Sequence, residues 1–388
     1  MVVGKKILFI CPVFPPYKLW WWQSQVARDY AKWLSGKWHK ITVLTTLFEW
    51  LKDYEKLNWI DVFRFSQISI FLLKCWLYNP KWFYRWLKSN LKQYDVVFIH
   101  DIYTLYWYIV AKLCKRCNIP YILMPHGVWN ISKQKDKVLF KKVFVFLFSA
   151  FVSNNASSVI FCSENEKRDY EIPFKHWNVI KNWINQRWWI NGLDEVTEDD
   201  ICNFKNKYGL LNKKIIFSMW RLSYWKRFDK VINYLSSFLR KNTNYLLLII
   251  WPDWWELGNL KTLIKNNKLN LNVKIIEWLF SKEKTIIFKI ASLFILASDH
   301  EWFPIVVCEA ISSKLPCLIS NECNISWSQN FVEIFTNERE FWEWFNKLIW
   351  WKTEVNQEYI NSFDVNNSVE KLNNLIEWIV SGIWNGYA

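Results

Sequence analysis

Short apolar runs separated by amphipathic stretches set the rhythm of this 388-residue chain. In the first half, Ile7 to Cys11, Ile41 to Leu44, Val96 to Ile99, Tyr121 to Met124 and Ser158 to Cys162 have the length of buried strands. Amphipathic segments such as Gln23 to Leu34 lie between them. The second half repeats the theme with Ile215 to Ser218, Tyr245 to Ile250, Val273 to Ile276 and Leu293 to Ala297. Between the first two of these, Phe228, Val231, Ile232, Leu235 and Leu239 fall on one helical face. Apolar strands alternating with helices predict parallel sheets covered on both faces, so the expected class is α/β, with two doubly wound domains. Ligands of such sheets bind at the carboxyl ends of the strands, which for two domains means a central cleft. An Asn-rich polar stretch from Asn182 to Thr197 marks the hinge. The expected division is 1–185, 186–366 and a terminal segment 367–388, whose amphipathic part, Val369 to Ile383, crosses back to the first domain.

Composition narrows the class. Hydrophobic residues at 52% and charged residues at 22% describe a folded soluble protein. The longest dense apolar stretch, Val143 to Val152, is about half of what a membrane-spanning helix needs. With no signal-peptide pattern at the N-terminus, a cytoplasmic location is expected. Nine scattered cysteines do not form a disulfide framework. Cys114 and Cys117 make one isolated C-x-x-C, read as helix residues rather than a metal site. The net charge of +15 favours phosphate-bearing molecules and anionic membranes as partners. Lys and Arg are spread through both halves without a zinc-finger, RNP or KH signature, so nucleic acid is not expected as a partner. A compositional bias from an AT-rich genome accounts for the charge equally well.

Glycine changes the picture more than charge does. Average usage of about 7% would supply roughly 27 glycines, yet the chain has 8, beside 30 tryptophans. The surplus tryptophans stand where backbones need glycine. Trp20, Trp21 and Trp22 open a helix after a strand, Trp254 and Trp255 follow Pro-Asp in a turn, and Trp38 sits where a helix hands over to a strand. Glycine alone reaches positive φ cheaply and lets a backbone approach a phosphate. The pattern predicts that many of these positions are glycine in the living protein, through UGA codons that its host reads as Gly.

The strongest chemical constellation runs from Asp299-His300-Glu301-Trp302-Phe303-Pro304-Ile305 to Glu309. It sets one carboxylate in the loop after a strand and a second inside a helix that Pro304 is suited to start. A helix N-terminus offers free N–H groups and a positive dipole end to a diphosphate. Glu309, one turn inside, then accepts hydrogen bonds from ribose hydroxyls, and Glu301 faces the sugar. After the strand ending at Ser218 comes Trp220-Arg221-Leu222-Ser223-Tyr224-Trp225-Lys226. Arg221 and Lys226 on one strand-end loop suit neutralisation of a departing diphosphate. Of the five histidines, His126 in Met124-Pro125-His126-Gly127 is the first site candidate, His100 with Asp101 the second, and His39 reads as structural.

These residues resemble glycosyltransferase family 4, the group 1 glycosyltransferases, over nearly the whole chain. The family's E-x7-E donor motif matches Glu301 and Glu309, and its G-R-L-x-x-x-K motif matches Trp220 to Lys226 with Trp220 in place of Gly. The loop from Pro15 to Trp22 corresponds to a Gly-rich turn, and His126 to an active-site histidine beside the donor sugar. The resemblance implies a GT-B architecture, with two Rossmann-like domains facing a central cleft. It implies that the first domain binds the acceptor and the second the nucleotide sugar, with donor contacts from Arg221, Lys226, Glu301, Trp302, Phe303, Pro304, Ile305 and Glu309. Transfer would retain configuration. No carboxylate pair serves double displacement, so same-face attack through an oxocarbenium-like transition state is expected. Arg221 and Lys226 would stabilise the leaving group, and His126 would position the sugar. No metal and no cofactor beyond the donor are expected. Basic-apolar segments at Lys133 to Val152 and Lys74 to Lys92 suit an anionic membrane surface, hence a lipid-linked or glycan acceptor in cell-surface polysaccharide or lipopolysaccharide synthesis, at the inner face of the membrane. The alternatives are a GT-B nucleotide-sugar epimerase and a non-catalytic basic module for membrane or nucleic acid.

Overall fold

The computed structural model describes residues 4–382 except 17–20, 49, 68–79, 101–104, 127–147, 171, 173, 181–185, 221, 252–255, 278, 280, 302–303, 324, 326–331, 351–360 and 362–363. The chain divides into two compact units, one of residues 1–181 with 368–388, the other of residues 182–367.

In the first unit eight strands form one sheet: β1 (Lys6–Ile10), β2 (Lys40–Thr46), β3 (Tyr54–Leu57), β4 (Ile60–Phe65), β5 (Val96–His100), β6 (Tyr121–Met124), β7 (Ser158–Phe161) and β8 (Trp177–Val179). Their order is β3-β4-β2-β1-β5-β6-β7-β8. The five apolar runs read from the sequence are β1, β2, β5, β6 and β7, with ends shifted by a residue or two. Ile7, Leu8, Phe9 and Ile10 are wholly buried, as expected of a strand covered on both faces. Phe83, Leu87, Trp107, Val110 and Ala111, from the helices Phe83–Asn90 and Leu105–Cys117, join β1, β5 and β6 in one core. The C-x-x-C pair lies in the second of these helices.

One departure from the expected parallel sheet is the hairpin β3–β4, which pairs antiparallel with Leu57 opposite Ile60. Its two-residue loop is Asn58-Trp59, with Asn58 at φ 56°. Asn-Gly is the strong hairpin signal, and the Asn58-Trp59 turn does not carry it. The terminal helix Val365–Ser381 counts with the first unit from Ser368 onward. His39 helps to hold it there. The Lys5 N–H donates to His39 Nδ1 (3.0 Å), so the proton sits on Nε2, which donates to Asn373 Oδ1 (2.8 Å). Lys5 Nζ adds an ion pair to Glu377 at 3.6 Å.

The second unit carries β9 (Lys214–Met219), β10 (Tyr245–Trp251), β11 (Val273–Glu277), β12 (Leu293–Leu296), β13 (Cys317–Ser320) and β14 (Val332–Phe335), in the order β11-β10-β9-β12-β13-β14. Every pairing in this sheet is parallel. The sequence reading found the first four of its strands. The helix Phe228–Lys241 between β9 and β10 buries Phe228, Val231, Ile232, Leu235 and Leu239, the five residues its periodicity singles out, each contributing about 1.5–3 kcal/mol. Thr197 opens the helix Glu198–Tyr208 through a capping box with Asp200, and Gly209 closes it at φ 61°. Among the described residues no helix is long and apolar enough to cross a membrane.

Candidate functional site

Both sheets follow the doubly wound order in which successive strands run outward from one strand and then restart on its other side. The restart falls between β9 and β12 in the second unit and between β1 and β5 in the first. Crevices at the carboxyl ends of such strands are where ligands bind. The sequence motifs emerge at these two points.

In the second unit the loops after β9 and β12 are cross-braced. The Asp299 N–H donates to the Trp225 carbonyl at 2.8 Å. Arg227 reaches Asp299 with one nitrogen at 3.0 and 3.2 Å and also grips Asp229 at 3.1 and 3.2 Å. These two carboxylates, Asp229 foremost, hold the guanidinium still more firmly charged. Arg227 does this from a left-handed backbone, φ 49°, as it caps the helix Phe228–Lys241. Lys226, in the short turn Tyr224–Lys226, donates to Glu301 Oε1, which also accepts from Ser298 Oγ at 2.8 Å. Glu301 is 5% exposed, so its charge is carried inside the protein by a lysine and a hydroxyl. Its own N–H donates to the Glu322 carbonyl at 2.9 Å, tying the loop to the segment after β13.

The helix Ile305–Ser312 follows, with Pro304 at its N-cap and Ile305 as its first residue. From Val306 to Ser312 all its residues are buried, Glu309 among Val307, Cys308, Ala310 and Ile311. A carboxylate in such company needs a countercharge. Lys284, on the helix Ser281–Ile290, supplies it with Nζ 2.5 Å from Glu309 Oε1.

The first unit brings His100 and His126 together. His100 ends β5, and His126 follows β6 at φ 55°. Their rings stack at 5.1 Å, with His100 Nδ1 2.9 Å from His126 Nε2. One ring must donate and the other accept. Exposures of 1% and 3% disfavour the charged forms. Burial pushes His126 down to about 3, and burial with the neighbouring His126 pushes His100 well below the usual histidine range. Phe9 stacks on His100 at 5.2 Å, and the Trp107 indole N–H donates to the His100 carbonyl at 3.1 Å.

Of the residues singled out in the sequence, Lys226 and Glu301 are therefore bonded to each other, Glu309 stands in the helix after them, and His100 and His126 form a pair. Trp20, Asp101, Arg221, Trp302 and Phe303, and the side chains of Trp21 and Trp22, lie outside the described residues. Sequence reasoning missed the roles of Ser298, Arg227, Asp299 and Lys284. Arg227 and Asp299 adjoin the motifs and could have been paired by their charge. Lys284 sits in Ser281-Lys282-Glu283-Lys284, which has the look of an ordinary solvated helix start. Among the described residues no group of three or more His, Cys, Asp and Glu side chains could hold a metal ion.

Comparison with known proteins agrees with this arrangement. Residues 23–187 match the glycosyltransferase family 4 domain and residues 200–327 the glycosyl transferases group 1 domain. An uncharacterized glycosyltransferase of Methanocaldococcus jannaschii, MJ1607, is 23% identical over 294 residues, covering 73% of this chain and 72% of its own length. Sucrose-phosphate synthase from Thermosynechococcus elongatus superposes with a TM-score of 0.77 at 13% identity, over 97% of this chain and 99% of that one. Anabaena HepE, solved in complex with UDP and glucose, gives 0.69 at 17% identity, over 97% and 100% of the two chains. With both halves matched in sequence and the two parallel sheets matched in fold, the chain belongs to the group 1, family 4 glycosyltransferases of GT-B fold.

Proposed function

We propose that this glycosyltransferase takes a nucleotide-diphosphate sugar as donor and transfers the sugar, with retention, to a glycan or lipid-linked acceptor of cell-surface polysaccharide or lipopolysaccharide synthesis. The observation that carries the donor assignment is the joining of Lys226 to Glu301 at the restart point of the second sheet, with Glu309 in the helix that follows. Donor binding by the second unit is further supported by the likeness to HepE, whose structure was solved with UDP and glucose.

Without donor, Lys226 and Glu301 neutralise each other. An incoming diphosphate competes for the lysine, and the N-terminus of the helix beginning at Ile305 offers it the positive end of a helix dipole. Arg227, held by Asp229 and Asp299, keeps the loop in place while Lys226 changes partner. As the sugar–phosphate bond breaks, charge builds on the leaving diphosphate, and Lys226 together with Arg221 stabilises it. The departing phosphate accepts the acceptor's proton on the face it leaves. His126, neutral in its buried pair, serves as a hydrogen-bonding group beside the sugar rather than as an acid. The two cations supply the charge that the leaving group requires, so the reaction as proposed needs no metal.

The basic-apolar segments Lys74 to Lys92 and Lys133 to Val152 motivate the acceptor class and an anionic membrane partner at the inner face; residues 74–79 and 133–147 of them lie outside the described residues. The test is release of nucleoside diphosphate by the purified full chain from a panel of nucleotide sugars, with lipid-linked and free glycan acceptors, in the presence and absence of EDTA. Acceptor-dependent release that survives EDTA and yields a product of unchanged anomeric configuration is the expected result. An inverted product, or turnover abolished by EDTA and restored by metal, would refute the mechanism; interconversion of nucleotide sugars without transfer would point to an epimerase.

A further inference from the structure

The mechanism leaves Lys284 unused, although it is the partner of the buried carboxylate Glu309. The rest of its helix is pinned in other directions. Lys282 pairs with Asp200 at 2.6 Å, Glu283 accepts from Lys207 at 2.6 Å, and Lys289 donates to the carbonyls of Leu193 and Val196 at 2.9 and 3.0 Å. Thr285, Ile286, Ile287 and Phe288 are buried, with Phe288 edge-on to Phe217 of β9 at 5.0 Å. Lys284 turns from this anchored helix to Glu309, and both side chains are largely withdrawn from water, at 20% and 11% exposure. Such a pair differs from a surface ion pair. A side chain on an immobile helix meets a carboxylate whose own helix is packed on all sides, so the geometry of the pair is fixed by the core.

We infer that Lys284 is a positioning residue for nucleoside recognition: it holds Glu309 in place and aims its carboxylate at the vicinal hydroxyls of the donor's ribose. The inference rests on the donor site proposed above. Lys284 occupies Oε1, and a carboxylate with one oxygen held by an ammonium keeps lone pairs on the other for a diol. A ribose hydroxyl donating to an ionised carboxylate makes a charge-assisted bond, stronger than one to a neutral acid. Removing the ammonium would leave the buried carboxylate without a countercharge and free to rotate away from the diol, which weakens it as an acceptor. The expected signature is thus loss of discrimination for the ribose hydroxyls, distinct from loss of diphosphate affinity.

The experiment is calorimetric titration of the full chain with UDP, GDP and ADP and with the 2′-deoxy form of each. The wild type is expected to favour the ribonucleotide it binds best over its deoxy form by roughly tenfold or more. Glu309→Gln should lower that ratio, and Lys284→Met should lower it to a similar value while affinity for the deoxy form stays within about threefold of wild type. Lys284→Arg, which restores the charge, should recover most of the ratio. A merely structural lysine would lower the melting temperature and leave the ratio intact. If Lys284→Met keeps the wild-type ratio while Glu309→Gln loses it, Lys284 has no positioning role and the donor site stands. If Glu309→Gln also keeps the ratio, or no nucleotide binds the wild type, the donor site falls and this inference with it. Should Lys284→Met fail to fold, Lys284→Gln gives the same reading.

Discussion

Because His100 and His126 are buried as a neutral pair, mild acid should destabilise the first unit in a way that can be traced to them. Both have folded pKa values below the unfolded value of about 6.5, His126 at about 3. Between those limits the unfolded chain binds protons that the native state refuses. Stability contributed by the pair is therefore fully present above about pH 6.5 and is lost as the pH falls towards the folded values. At pH 5 His126 lies about 1.5 pH units below its unfolded pKa, a loss of about 2 kcal/mol at 1.36 kcal/mol per unit. The figure would be the same for a folded value of 4, since it depends on the unfolded pKa alone as long as the native ring stays neutral. His100, whose charged form burial also disfavours, shifts stability in the same direction. The control is His126→Asn, because asparagine tolerates the left-handed backbone at φ 55° and removes one titrating ring. Denaturant unfolding at pH 7 and pH 5 should show the wild type losing about 2 kcal/mol more than the variant. Equal losses would refute the reasoning, as would imidazole resonances of either histidine titrating near pH 6.5 in the native protein.

Arg221→Ala and Lys226→Ala should each lower kcat more than they raise the donor's KM, since charge on the diphosphate is greatest in the transition state; steady-state kinetics with near-normal kcat would remove the residue from leaving-group stabilisation. Lys226→Ala should also leave Glu301 buried without its ammonium partner, so a measurable drop in melting temperature is expected alongside the kinetic loss, and an unchanged melting temperature would show the ion pair to be dispensable. The codons and native residues behind the tryptophans are expected to be UGA and glycine at most of Trp20 to Trp22, Trp220, Trp254, Trp255 and Trp302; Trp38, already singled out, has a left-handed backbone (φ 72°), and Trp82 (φ 60°) adds a further position. Peptide mass spectrometry of the native protein decides this, with UGG codons and native tryptophan at these sites sinking the idea.

How far the fold was legible follows from what each strand has beside it. β1, β5, β9, β10 and β12 are central strands covered on both faces, so they are written as unbroken apolar runs, and the sequence shows them within a residue or two. β3, β8, β11 and β14 lie at sheet edges, and of these the sequence shows only β11, whose run from Val273 to Ile276 holds three apolar residues. An edge strand needs fewer apolar side chains, and β3 reads Tyr-Glu-Lys-Leu with alternating exposure. Nothing in such a segment outweighs a loop reading unless its turn announces it. Here the turn is Asn58-Trp59, without the glycine that would announce it, and Trp59 is 76% exposed. Trp38 differs in its backbone. Its carbonyl sits where a Cβ at Gly4 would come within 1.9 Å, so the helix-to-strand turn at Trp38 presses against a backbone that only glycine permits, while its own indole stands 85% exposed at positive φ. That combination of a left-handed backbone and an unpacked ring is what a glycine position looks like when occupied by another residue.

The site was legible to a different depth. Motif residues are recognisable because their spacing along one chain is fixed by one loop and one helix: Glu301 and Glu309 share a strand-loop-helix segment, and Lys226 ends the turn after β9. Their partners are not, because Lys284 and Glu309 or His100 and His126 meet only once separate elements pack. A buried charge nonetheless obliges the fold to supply an opposite one. A sequence that puts Glu309 into Val-Val-Cys-Glu-Ala-Ile therefore already implies a lysine or arginine elsewhere that must be spent on it. Which lysine answers is decided by the packing of the helix Ser281–Ile290, whose apolar face fixes Lys284 opposite Glu309 and turns Lys282 and Lys289 to other partners.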